Sequence, residues 1–260
     1  DLRPREGIVA ALNAGLEAAR GEFVARMDAD DEAHRERLQE QLAFLGAAEN
    51  ADIGVCGCLV EHGGDARATA GYALHVDWLN GLTTPDEIAL NRFVESPLAH
   101  PSVMFRRELV ARHGGYHEGP FPEDYELWLR WLDAGVRMAK VPRVLLRWND
   151  PPGRASRTDP RYSPEAFFAT KAPWIARWLR RHGIGVEGTR RIFVWGAGRP
   201  TRKRAELLAA EGIAIAGYVD IDPRKATRAI GGVGKPVLLV DELPPPAEDR
   251  KSTRLNSSHV

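Results

Sequence analysis

The chain has 260 residues, and its 36 basic and 36 acidic side chains balance to a formal net charge of zero. Long-range attraction to nucleic acid or to an acidic membrane is therefore not expected, and any charged partner must be met locally. A hydrophobic fraction of 43% with seven Trp supports a buried core and excludes a disordered chain; the length fits one large domain or two small ones. No apolar run approaches the roughly 20 residues of a membrane helix and no leader resembles a signal peptide, so a soluble, cytoplasmic protein without a membrane span is expected.

Ile8, Ala11, Leu12, Gly15 and Leu16 recur at helical spacing, and Gly21 closes that helix before a short strand at 22–27. A knot of carboxylates, Asp28, Asp30 and Asp31, follows at once. Carboxylates crowded in this way repel unless a positive centre joins them, and a hard divalent cation with a diphosphate is the obvious guest. The same residues also suit a turn, with Asp31 as N-cap of the next helix, 33–45, whose Leu38, Gln41, Leu42 and Leu45 share one side. Ile53 to Val60 reads as a buried strand, with Cys56 and Cys58 as reduced core residues, since two thiols make no complete metal site.

From 61 to 97, Gly63, Gly64, Gly71, Gly81 and Pro85 break the pattern, which predicts loops and a short helix over a site. A strand at 101–106, a short helix at 108–113 and a Gly114-Gly115 turn come next. Leu127, Trp128, Trp131 and Leu132 then form an apolar helical stripe that places Glu123 and Asp124 at a helix start, where capping and the macrodipole favour acids irrespective of catalysis. Residues 136–141 and 144–148 predict two further extended segments, 149–164 a linker or closing loop, and 165–182 a helix.

Arg191 to Trp195 runs into Gly196-Ala197-Gly198, a helix to about Glu211, and a strand ending in Asp220. This is the first half of a Rossmann-type unit, a possible second nucleotide site through Gly196, Gly198 and Asp220. Thr201 stands where the third Gly is expected, so a structural α/β module is the competing reading. The polar stretch 251–260 is similar to translated vector read-through and is set aside.

Helix, strand, acidic loop, helix, strand is an α/β rhythm, and the acidic loop falls at the carboxyl end of a strand, where such sheets bind ligands. Gly7, Asn13-Ala14-Gly15-Leu16, Gly21 to Asp31, Arg37-Leu38 and Gln41, followed by His100-Pro101-Ser102 and Glu123-Asp124-Tyr125, resemble family 2 glycosyltransferases of the GT-A fold over about residues 5–150. The resemblance implies an α/β nucleotide-diphospho-sugar transferase domain (1–150) lacking its first strand, then a linker and helix (151–188) and the Rossmann-like module (189–250). It also implies inverting transfer of a sugar from a nucleoside diphosphate donor to a glycan, lipid-linked or similar hydroxyl acceptor. On this chain it makes Asp30 a direct ligand of Mg²⁺ or Mn²⁺, with Asp28 nearer the donor ribose. Asn13 and His100 fall on the donor side, Asp124 is the general base and Glu123 its support. Pro151 occupies the place of a His that completes the metal site in many relatives, leaving Asp150 or water to substitute. A metal-activated hydrolase would use similar residues, so the reaction type rests on the resemblance. The alternative is a non-catalytic nucleotide-binding protein acting through 189–250.

Overall fold

The computed structural model describes residues 7–64, 70–151, 155–186, 190–226 and 234–243; the stretch 251–260 lies outside them. The chain forms two compact units that divide after Phe167. The first begins with α1 (Ile8–Ala18), β1 (Phe23–Ala25), β2 (Glu32–Ala33), α2 (Arg37–Gly46) and β3 (Ile53–His62). It continues through α3 (Ala70–Asn80), α4 (Pro85–Asn91), β4 (Met104–Arg106), α5 (Glu108–His113), α6 (Glu123–Asp133), β5 (Arg137–Trp148) and the short α7 (Ala155–Thr158). Its sheet has the order β1-β4-β3-β5-β2, with β3 and β5 parallel and the other pairings antiparallel.

β3 is buried almost throughout because both faces of the sheet are covered. One layer gathers Cys56, Cys58, Val60, Val76, Leu79 and Leu146, the other Val55, Phe105, Leu127, Trp128 and Trp131. Both cysteines are free, and burial pushes their thiols up to about 12 and 11, as expected of reduced core residues. Beside them Lys140 is buried, donates from Nζ to Leu79 O at 2.5 Å, and is pushed down to about 7 by desolvation.

Three expectations are corrected. The helix expected over 33–45 begins only at Arg37, after β2, with Glu36 rather than Asp31 at its N-cap. Its buried face is Arg37, Gln41 and Leu45, while Leu38 and Leu42 are exposed. Two of the breaks in 61–97 are helix boundaries: Gly81 follows α3, and Pro85 opens α4 behind a Thr84/Glu87 capping box. The two extended segments after 136 are one strand, β5, whose register against β3 shifts on both sides of the Leu59–Val144 pair.

The polar face of α2 has a definite task. Gln41 Nε2 donates to Cys56 O (2.7 Å) and Ser102 O (2.9 Å), just past the point where the β3–β4 pairing ends. Its Oε1 accepts from Arg37 Nε at 3.1 Å, and Arg37 Nη2 donates to Arg26 O at 2.6 Å. Side chains thus complete the hydrogen bonding where the backbone ladder stops.

The second unit, from Phe168, takes most of the long helix α8 (Pro164–Arg181), then β6 (Ile192–Trp195), α9 (Arg199–Ala210), β7 (Ile215–Val219), α10 (Pro223–Ala226) and β8 (Val237–Leu238). Its strands are parallel in the order β6-β7-β8, the half-Rossmann arrangement expected. Gly196 has φ +91°, and a Cβ there would meet Thr201 Oγ1 at 3.2 Å, so the turn requires glycine.

Replacing Gln41 by Leu keeps volume but leaves two carbonyls and the Arg37 Nε–H without partners. Urea unfolding should show a loss of about 2–4 kcal/mol, with the m-value unchanged.

Candidate functional site

Residues 27–31 join two short strands on opposite edges of the first unit's sheet, β1 and β2. The acidic stretch therefore crosses the strand ends. It is tied down on both sides: Arg26 N–H donates to Val103 O (2.9 Å), and His34 N–H to Leu145 O (2.9 Å). At the β5 end, Asn149 N–H donates to Asp31 Oδ1 (2.8 Å) and its Nδ2 to Asp30 O (2.7 Å). The carboxyl ends of β1, β3 and β5 lie here, where α/β sheets collect ligands.

Asp28, Asp30 and Asp31 each offer a carboxylate oxygen within 4.8 Å of the others. Three hard oxygen donors, one buried and one exposed, suit Mg²⁺ or Mn²⁺ better than a soft ion. Asp31, for which a cap was the competing reading, joins this group. Asp150 is occupied elsewhere, by Arg157 Nη2 at 2.5 Å, with His62 Nε2 4.0 Å away.

The second acidic pair opens α6 behind Pro122, which makes no side-chain cap. Glu123 is buried and accepts from the Tyr162 hydroxyl at 2.7 Å. Asp124 is half-buried, with Oδ1 accepting the Tyr125 N–H at 2.8 Å. Burial first, and the neighbouring Glu123 charge second, push the Asp124 carboxyl up to about 7. A carboxylate poised there takes and releases a proton near neutrality. Glu126, the third acid of the turn, pairs instead with Arg130 at 2.9 Å.

Tyr116 lies within electrostatic range of both clusters. Its hydroxyl is raised by burial, and the charges of Arg26, Asp124, Glu123 and Asp28 all bear on it, although the two motifs stand 96 positions apart in sequence. His100 Nε2 meets the Tyr116 hydroxyl at 2.8 Å. Burial, with a lesser contribution from Arg26, holds the His100 imidazole well below its usual range and hence neutral. Asn13 donates to Tyr116 O (2.8 Å) and accepts from Tyr116 N–H (3.0 Å). Both residues expected on the donor side are thus engaged by Tyr116, one at its hydroxyl and one at its backbone.

Tyr116, Arg26 and Tyr162 were not singled out from the sequence. No motif spacing marks them, because each acts through tertiary neighbours. In the second unit, Asp220 accepts from Ala197 N–H (2.8 Å), Asp222 N–H (3.0 Å) and Lys225 Nζ (3.0 Å). The two N–H bonds hold its carboxyl at about 2. Asp220, the acid expected to meet a ribose, thus also braces the Gly196–Gly198 turn.

The model of the family described as "Glycosyl transferase family 2" matches residues 2–114. The amylovoran biosynthesis glycosyltransferase AmsE of Erwinia amylovora is 32% identical over 56% of this chain and 52% of its own length. An uncharacterized glycosyltransferase of Haemophilus influenzae is 30% identical over 72% of this chain and 64% of its own. The UDP-Gal:alpha-D-GlcNAc-diphosphoundecaprenol beta-1,3-galactosyltransferase of Escherichia coli is 31% identical over 56% and 50%.

Over residues 2–114, somewhat under half of the chain, the first unit is similar to glycosyltransferase family 2. That unit is a mixed α/β sheet with the acidic motif at the strand ends. The chain spans between half and about two thirds of the length of these curated relatives. Among the described residues no helix is long and apolar enough to cross a membrane.

The raised Asp124 carboxyl has a consequence for the stability of the first unit. Between its ordinary 3.8 and about 7 the folded state binds the proton more tightly than the unfolded chain, so stability falls as pH rises through that window. Asp124→Asn, which keeps the acceptor for Tyr125, should melt at a higher temperature than the parent at about pH 8, with the gap shrinking toward about pH 5. Thermal melts across pH check this.

Proposed function

We propose that the first unit carries the donor and catalytic groups of a metal-dependent, inverting glycosyltransferase. It would move a sugar from a nucleoside diphosphate to a hydroxyl of a glycan or lipid-linked acceptor. The observation that carries the reading is the cluster of Asp28, Asp30 and Asp31 oxygens at the strand ends, with the charges of Asp28 and Asp124 both reaching Tyr116. An inverting displacement needs a base on the acceptor side of the anomeric carbon and positive charge on the departing diphosphate opposite it. The name of the Escherichia coli relative, with a UDP-sugar donor and a diphosphoundecaprenol-linked acceptor, supports both substrate classes.

The residues divide the work by environment. Asp28, Asp30 and Asp31 would hold Mg²⁺ or Mn²⁺, which when bound supplies positive charge to the diphosphate. Asp124, the more open of the two α6 acids, accepts the acceptor's hydroxyl proton while that oxygen attacks the anomeric carbon and the bond to the diphosphate oxygen breaks. Glu123, fixed by Tyr162, keeps Asp124 basic by its charge. Neutral His100 and the Asn13 clamp hold Tyr116 between the two sides as positioning groups.

The test is turnover by the whole gene product over a panel of nucleoside-diphosphate sugars with Mn²⁺ present. Asp124→Asn should lower kcat by roughly 10²–10⁴-fold with donor affinity kept. In the parent, the rate should rise with pH to a plateau above about 7, where Asp124 is ionised. Undiminished turnover in Asp124→Asn, or a rate that falls through that range, removes the base assignment. No turnover with any donor of the panel removes the reading.

A further inference from the structure

Arg26 is a cation close to both acidic clusters, and neither a turn nor a cap explains it. It stands two positions before Asp28 in an extended stretch, so the two side chains project to one side. Its side chain is 9% exposed, and Nη1 lies 2.5 Å from Asp28 Oδ2. Even so, Nε and Nη1 are buried without an acceptor at hydrogen-bond geometry among the described residues. Buried donors are rarely left in that state, because each costs the desolvation it does not recover. Arg26 also bears electrostatically on His100, Tyr116, Asp124 and Arg37, so its charge reaches the base as well as Asp28.

We propose that Arg26 is a diphosphate-binding residue that Asp28 holds in reserve. In the unloaded protein the guanidinium neutralises Asp28. When a divalent cation and a nucleoside diphosphate enter, Asp28 turns to the cation and Arg26 turns its unpaired N–H groups to phosphate oxygens. A planar guanidinium suits this task because its N–H fork matches phosphate geometry. The inference rests on the donor-site reading above and adds a specific anion-binding residue to it.

The exchange gives two effects of opposite sign. A guanidinium paired with Asp28 opposes an approaching dication, yet it favours a polyanionic diphosphate. Calorimetric titration of this chain with MnCl₂ alone, and with UDP or GDP in the presence of Mn²⁺, reads both. Arg26→Met should bind Mn²⁺ alone more tightly than the parent. It should bind the Mn²⁺-loaded nucleotide more weakly by roughly ten- to a hundredfold. Should Arg26→Met fail to fold by near-UV circular dichroism, Arg26→Gln, neutral and still polar, carries the same two readings.

Equal nucleotide affinity in parent and variant overturns the proposal. Weaker binding of Mn²⁺ by the variant also overturns it, because Arg26 then only orients Asp28. In either case the donor-site reading survives if the parent binds nucleotide. A parent that binds neither UDP nor GDP with Mn²⁺ present removes the donor-site reading and this inference together.

Discussion

The buried pair Arg37 and Gln41 is the constraint on which the site depends. The acidic stretch leaves the sheet at Arg26, whose carbonyl accepts from Arg37 Nη2, while the Arg37 Nε is paired with Gln41. Gln41 in turn bridges the carbonyls of Cys56 and Ser102, one on β3 and one in the turn that begins at His100. One helix face thus joins the start of the Asp motif, the central strand and the segment carrying His100. Two long polar side chains in the interior cost rotamer entropy and desolvation. Here that cost is offset because they satisfy backbone groups that strand pairing leaves open.

From that fixed frame the electrostatics follow. The first unit places five acids around a few cations: Asp28, Asp30 and Asp31 on one side, Glu123 and Asp124 on the other. Arg26 is paired with Asp28 and only moderates Asp124 from a distance, as a minor lowering influence on its carboxyl. The base therefore stays near neutrality while Asp28 keeps a counter-charge. A direct pair between Arg26 and Asp124 would reverse both properties, since an adjacent cation drives a carboxyl far below neutrality and Asp28 would lose its partner. Catalytic poise here depends on which acid the arginine touches.

Much of the frame was legible in the sequence. Period-3.6 runs gave α1 and α6, the apolar stretch at Ile53–Val60 gave most of β3, and the two acidic motifs located the strand end and the helix start. What was missed has a common physical cause, namely interactions that neither periodicity nor spacing encodes. Leu38 and Leu42 matched an apolar helix face, yet the buried face of α2 is built from Arg37 and Gln41 because backbone carbonyls, not apolar atoms, wait opposite. Gly81 and Pro85 read as breaks in the pattern of 61–97, but they mark the end of α3 and the start of α4. Tyr116 carries no motif at all and gains its place only when Asn13, 103 positions away, holds its backbone. Even the net charge of zero is a sum of unlike parts: Phe168–Leu255 holds 17 basic against 9 acidic residues, leaving 19 against 27 in the remainder.

The second unit makes the same point from the opposite direction, since its motif was legible and its chemistry was not. A strand, a Gly-rich turn and a helix start announce a phosphate site because backbone N–H groups there lack partners. In this chain the Ala197 N–H already has one, the carboxylate of Asp220, which also takes Lys225. Asp220 is an internal anion in the place where a ligand's anion would bind, held ionised by the N–H groups it accepts from. A phosphate arriving at that N–H would have to displace a carboxylate that is covalently part of the fold and pays no entropy of association. The turn is thus stabilised by its own sequence, and Gly196 is required there by φ +91° and by the nearness of Thr201, whether or not any nucleotide is bound.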